Sequence, residues 1–404
     1  MDNNISIITP DKCCGCRACG DSCNLNAISY YLDEEGFYQP IVDKKKCVSC
    51  GKCLSVCPLC KTALHEKIES CYAAYASEKK DKDAGSSGGI FGLFASMAIK
   101  LGYVVYGAAF DSNLRLCHQS ATSYESIHQL LKSKYLQSDT SGIYNEINNR
   151  IKCGEKVLFC GTPCQCNALL NFLGGDSDNL LLVDFVCHGV PSQDLFNKSI
   201  AWWERKHGKK IKDFVFRYKG SGVKHPQSYK IVSEDKSGRV SEIIGLHYQF
   251  PFYFAFQKYI SLRQSCYSCK WAKPTRCSDI TLGDFWGIES LNIGLVANEG
   301  VSMIAPNTPK GESWLDHLVS DHKIVSTIVP YSFAVDNNGC LKGYTKMPSV
   351  RSQFFSDLKI LEFDEVVLKY MKSKRQYIFD IYYAIPTPLR RIVRRIMEKR
   401  MRYE

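Results

Sequence analysis

No run of about 18 apolar residues, the length a helix needs to cross a bilayer, occurs in the 404-residue chain. The opening MDNNISIITPDKCC has no apolar stretch that could act as a secretory leader, so the expected location is the cytoplasm. No Gly-x-Gly-x-x-Gly follows a strand-like run with an acidic residue about 20 positions on, which argues against a nicotinamide dinucleotide site. The formal charge of +11 is unevenly spread, much of it in the last fifteen residues. With no aromatic platform beside that basic stretch, nucleic acid is not an expected partner. What the chain has in excess is cysteine, with 21 residues. In a reducing compartment, cysteine at that density points to metal binding rather than disulfides.

The first eight relevant cysteines form a repeat. Cys13-x2-Cys16-x2-Cys19-x3-Cys23 recurs as Cys47-x2-Cys50-x2-Cys53-x3-Cys57-Pro58, with Ala27–Tyr30 between them reading as a strand and Asp33–Gly36 as a turn. In the two-cluster bacterial ferredoxin arrangement, three thiols of each run wrap one four-iron cluster and the fourth reaches across to the other. That assigns Cys13, Cys16, Cys19 and Cys57 to one cluster, and Cys47, Cys50, Cys53 and Cys23 to the second. Asn24 stands where the first run would usually carry proline. A zinc ribbon is the competing reading, but zinc sites usually pair two CxxC motifs. Cys14 and Cys60 lie outside the register.

Beyond a polar stretch at 77–87, expected to be a linker, short apolar runs alternate with amphipathic ones. Strands are predicted at 104–110, 156–160 and 180–185, and helices at 90–101, 165–172 and 193–207. The segment 214–244 is more strand-like, so the fold class expected is mixed α/β (α+β) behind a two-cluster ferredoxin unit. A further group, Cys266-x2-Cys269-x7-Cys277, makes an incomplete site whose fourth ligand would be Cys164 or Cys187. Spacing alone leaves open a third cluster, a zinc site or simple packing.

Several separated motifs add to this. The ferredoxin-like start, SSGGIFG (86–92), SKYLQSD (133–139), GTPCQ (161–165), FVCHGVPS (185–192) and CYSCKWAKPTRCSDITLGDFWG (266–287) occur in that order. Over roughly residues 1–335 the sequence resembles the coenzyme F420 hydrogenase/dehydrogenase β-subunit family. The resemblance implies FAD and one four-iron cluster in the catalytic domain. It favours Cys266, Cys269 and Cys277 with Cys164 as ligands, Cys187 being the rival. It also implies flavin contacts from Ser87, Gly88, Gly89, Ser133, Lys134, Tyr135, Gln137, Thr162, Pro163, Gln165 and Asp284, and a proton- or hydrogen-bond-donating role for His188.

Residue chemistry gives each of these a second reading. Ser86–Gly89 before a helix suits a pyrophosphate at a positive helix end, or is an ordinary N-cap. Lys132–Tyr135 offers cations and an aromatic face, or is a solvated basic helix end. Asp284 could meet a ribose or flavin edge, or cap a turn. His188 is either functional or structural.

The expected domains are 1–64, 65–338 and a basic helical region 339–404. In the last, Leu389, Ile392, Val393, Ile396 and Met397 share one helix face. Such a tail suits an anionic membrane surface (a peripheral contact), an acidic partner, or its own domain. The predicted function is an iron–sulfur flavoprotein oxidoreductase working between a ferredoxin-like carrier and a small two-electron substrate, coenzyme F420 or another acceptor. The alternative is a non-catalytic relay subunit feeding a partner enzyme.

Overall fold

The computed structural model describes residues 3–220, 227–291, 293–295 and 300–372. The amphipathic tail reading therefore falls outside the described residues. In chain order the strands are β1 (Ile28–Leu32), β2 (Tyr38–Val42), β3 (Ser70–Ala76), β4 (Tyr103–Phe110), β5 (Leu116–Ala121), β6 (Lys156–Gly161) and β7 (Leu180–Phe185). They continue with β8 (Lys210–Val215), β9 (Ser228–Glu234), β10 (Val240–Leu246), β11 (Ile280–Asp284), β12 (Ser302–Pro306) and β13 (Ile324–Pro330).

Eight of these form one mixed sheet in the order β13-β3-β12-β11-β7-β6-β4-β5. Its centre, β11, β7, β6 and β4, is parallel, and antiparallel strands flank it on both sides. The central strands carry unbroken apolar runs such as Val157-Leu158-Phe159 and Leu180–Val183, all fully buried. Strands covered on both faces need such runs, and the helices connecting parallel strands provide that cover. Helices occur at Ile90–Lys100, Pro163–Leu173 and Gln193–His207, close to the predicted positions. The mixed α/β expectation therefore holds for the body, with a separate antiparallel sheet β10-β9-β8 beside it.

The 77–87 stretch is not a linker. β3, which precedes it, already lies inside the large sheet between β13 and β12. The stretch itself contains a short helix, Lys79–Ala84, and Lys82 sits over the Tyr75 ring at 4.3 Å.

The cysteine repeat extends to the backbone. Gly15 and Arg17 in the first run have φ of 69° and 60°, and Ser49 and Gly51 at the matching places have 52° and 76°. Left-handed residues at alternate positions turn successive backbone N–H groups into one concavity, the kind of nest that surrounds iron–sulfur groups. A four-residue helix follows each loop, Ala18–Asp21 and Lys52–Ser55.

Candidate functional site: two cavities behind a docked cysteine loop

The parallel strands β6, β7 and β11 end together, and the residues just past their carboxyl ends carry the chemistry. In open parallel sheets this is where ligands bind. Thr162 caps the helix after β6 through a reciprocal box with Gln165, and Pro163 takes the first helical position. This fixes Cys164 at the mouth of the turn. Cys187 and His188 follow β7, and Asp284 ends β11.

Two cavities open there. The smaller, about 360 Å³, is lined by Cys14, Cys164, Cys187, Cys266, Cys269 and Cys340, with Pro163 and Trp271 among its walls. The thiols feel one another. Burial, then the neighbouring Cys269, pushes Cys266 up to about 12, and burial followed by Cys164 takes Cys269 to about 11. Burial also raises Cys187, with Cys266 and Cys164 as the next causes. Four thiols held this way gain from a cationic centre that would take them as thiolates, which suits a cluster. Among the described residues no three Cys, His or carboxylate groups converge as one metal ion would require. A cubane differs in spreading its four ligands around a cage.

Spacing groups Cys277 with these ligands, but it does not line the cavity. Its side chain is 2% exposed and its thiol donates to Pro163 O at 3.5 Å, inside the core with Cys166. Both rivals for the fourth position, Cys164 and Cys187, face the cavity.

The larger cavity, about 580 Å³, takes in Ser87, Gly89, Ser133, Lys134, Tyr135, Thr162, Gln165, His188 and Asp284 of the predicted residues. Gly88 faces away: its N–H donates to Ser302 Oγ at 2.9 Å, and a Cβ there would lie 2.5 Å from Ala74 O. That N–H is not available to a phosphate. Gln137 is elsewhere too, donating to Cys14 O at 2.9 Å and accepting from Arg263 at 3.0 Å. Asp284 has both oxygens engaged by Arg217, at 2.6 and 2.9 Å. Arg217 lines this cavity without any sequence signal to announce it, and Trp286, from the motif at 266–287, lines it too.

Several basic side chains face the larger cavity, among them Lys134, His118 and His188. Lys134 donates to Gln129 O and Leu131 O at 2.8 and 2.6 Å, and burial brings its ammonium down to about 7. His118 lies between Ser138 Oγ and Cys160 O, and burial lowers it to about 4, so it is neutral at physiological pH. His188 lines both cavities, stacks parallel to Tyr259, and is lowered mainly by burial.

The first cysteine loop is docked against this site. Cys13, Cys16, Cys19 and Cys57 share a small cavity that Cys14 also lines, and Cys14 lines the smaller of the two chambers with Cys164 as well. Thr140 donates to Cys16 O at 2.7 Å, and Ser265 to Cys13 O at 3.0 Å. Asp21 accepts from the backbone N–H groups of Gly142 and Tyr144, at the start of the helix Ile143–Lys152. The second loop faces outward: Cys50 is exposed, and so is Val48, at 68%.

Residues 154–329 match the family described as coenzyme F420 hydrogenase/dehydrogenase, over the C terminus of its β-subunit. That family points to an iron–sulfur electron-transfer oxidoreductase. Over those residues the chain is similar to the coenzyme F420 hydrogenase/dehydrogenase β-subunit family, which supports the resemblance read from the motifs. A ferredoxin-type protein, NapF of Haemophilus influenzae, is 37% identical over 59 residues, 15% of this chain. The match spans about a third (33%) of the length of that curated relative. A solved structure of the F420-reducing NiFe hydrogenase complex from Methanosarcina barkeri, derivatised with xenon, aligns over 66% of this chain and 84% of its own. Its TM-score is 0.41, at 17% identity. Among the described residues no helix is long and apolar enough to cross a membrane.

Proposed function

We propose that the chain is an iron–sulfur flavoprotein oxidoreductase that passes electrons between a ferredoxin-like carrier and a small two-electron substrate. The observation that carries this reading is the shared wall of the two cavities. Thr162, Gln165, Cys187 and His188 each line both, so a thiol-rich chamber and a chamber of cofactor size meet at the ends of the parallel strands.

Cys13, Cys16, Cys19 and Cys57 would hold one four-iron cluster, and Cys47, Cys50, Cys53 and Cys23 a second. Cys164, Cys187, Cys266 and Cys269 would hold the third, with Cys187 in the place first given to Cys277. FAD suits the larger cavity, beside Ser87, Gly89, Ser133, Lys134, Tyr135, Thr162 and Gln165. A flavin supplies the exchange between one-electron carriers and a two-electron acceptor. The chain's own residues orient and screen. Neutral His188 stands between the chambers as a hydrogen-bond donor, and Arg217 holds Asp284 as a bidentate pair at the rim. The outward loop receives the protein carrier, and the docked loop leads inward through Cys14 to Cys164. The basic tail at 387–404 would add a peripheral contact with an anionic membrane.

Two variants test the ligand set. Cys187→Ala should lose about four irons per chain, whereas Cys277→Ala should keep its full complement. The opposite pattern would restore Cys277 to the site. The isolated chain, reduced with viologen under argon, should then turn over a two-electron acceptor. Full clusters and flavin without turnover would make it a relay subunit for a partner enzyme.

A further inference from the structure

Arg263 lies three residues before Cys266, and its side chain is 1% exposed. Every guanidinium nitrogen has a partner. Nε donates to Cys13 O at 2.6 Å, Nη1 to Gln137 Oε1 at 3.0 Å, and Nη2 to Tyr38 O and Gln39 Oε1, both at 3.0 Å. All four acceptors are neutral. The carboxylate reached through this network, Asp33, is one amide removed, bonded to Gln39 Nε2 at 2.7 Å. Among the described residues no carboxylate forms an ion pair with Arg263.

Arg351, the other buried arginine at this seam, is 2% exposed and has a bidentate partner in Glu35, at 2.9 and 2.5 Å. Hydrogen bonds satisfy the donors of Arg263, but among the described residues no carboxylate balances its charge. Burying an ion without a counter-charge is strongly unfavourable, and a guanidinium cannot shed its proton to escape.

Position suggests what does balance it. Arg263 bonds the backbone of Cys13 in the docked loop, and its own carbonyl accepts from the N–H of Cys266, which lines the smaller cavity, at 2.9 Å. It therefore stands between two groups of four thiols. A cubane held by four thiolates is net negative in both of its working redox states and more negative when reduced. Net charge nearby is among the levers that set its potential.

We propose that Arg263 is an electrostatic positioning residue shared by the docked-loop cluster and the cavity cluster. Its buried positive charge raises the reduction potentials of both and leaves the outward cluster untouched. Its close fit explains Gly15, where a Cβ would lie 2.4 Å from Gln137 Nε2 and 2.8 Å from Arg263 Nη1. The inference rests on the cluster reading above and adds an order of potentials along the path, with the two inner sites easier to reduce than they would be without Arg263.

The test is an EPR-monitored redox titration of the full chain under argon. In Arg263→Gln, two of the three cluster midpoints should move to more negative potential. The reduction equilibrium should change about tenfold, or ~59 mV for a one-electron couple, with the third midpoint unchanged. Arg263→Lys, which keeps the charge and loses the fork, should stay near the wild-type values. Equal shifts in Lys and Gln, or no selective shift in Gln at full iron content, would overturn the proposal. Should Arg263→Gln fail to fold, Gln39→Glu sets a carboxylate against Nη2 and should lower the same two midpoints. Unmoved midpoints there would overturn it equally. A wild-type chain short of iron would instead remove the cluster reading on which the inference rests.

Discussion

The two cysteine loops share a spacing and a pattern of left-handed residues, yet the protein treats them in opposite ways. The first is built into the body. Its carbonyls accept from Arg263, Ser265, Gln137 and Thr140, and its thiols Cys16 and Cys19 are buried. The second keeps Cys50 exposed, Val48 bare and the lysines 44–46 in solvent. Identical local chemistry thus sits in two settings, one loop fixed in the interior and the other open to solvent, where the proposed carrier would dock. The ferredoxin-like segment is also tied at its hairpin, where Glu35 meets Arg351 from the helix Arg351–Ile360. It behaves as part of the body.

The sharpest way to break this comparison is at its equivalent positions. Gly15→Ala forces a Cβ into the seam at a φ of 69°. The left-handed backbone alone costs roughly 1–2 kcal/mol, and the clash adds to it, so a loss of about 3 kcal/mol is expected. Ser49→Gly, at the matching exposed position, should change stability by less than about 0.5 kcal/mol. Anaerobic denaturant titration reads both, and equal losses would put the two loops on the same footing. Next in size are the hairpin's two ion pairs. Arg351→Ala strands Glu35 and removes two bonds to Leu262 O, which should cost about 3 kcal/mol. Lys359→Ala, breaking an exposed pair with Glu34, should cost less than about 1 kcal/mol.

A smaller effect concerns the outward face. Reversing Lys45 and Lys46 to glutamate should slow association with an acidic ferredoxin about tenfold at low salt and much less at high salt. Stopped-flow reduction measures it, and a salt-independent change would argue against this face as the docking surface. The smallest effect lies in the larger cavity. Because burial holds the Lys134 ammonium near 7, lowering pH through that value adds positive charge. An anionic ligand should therefore bind a few-fold tighter at pH 6 than at pH 8. Lys134→Met should flatten that dependence in a fluorescence titration.

Much of this was legible in the sequence because it is local. The loop repeat, strands β4, β6 and β7 of the parallel centre and the helix after Thr162 each follow from residues within one turn or one strand. What spacing does not carry is direction and distance. Spacing put Cys277 with Cys266 and Cys269, but it lies three residues before β11 begins, where the chain turns its thiol into the core under Pro163. Asp284 read as a contact for a ribose or flavin edge, or as a turn cap, with no sign of the arginine that holds it. That arginine, Arg217, comes from a segment 67 residues earlier. Gln137 sits among Ser133, Lys134, Tyr135, Leu136 and Ser138, which line the larger cavity, yet it turns to the seam, where the Cys14 carbonyl and Arg263 await it. The 77–87 stretch is polar enough for a linker, and only pairing of β3 with β12 and β13 reveals it as interior to the fold.

The most direct check is quantitative: iron and acid-labile sulfide per chain after anaerobic reconstitution, with EPR spin integration of the reduced protein. Three cubanes require about twelve irons and about three spins per chain. A preparation that holds only the eight irons of a two-cluster ferredoxin, leaving the Cys164–Cys269 chamber without metal, would contradict it.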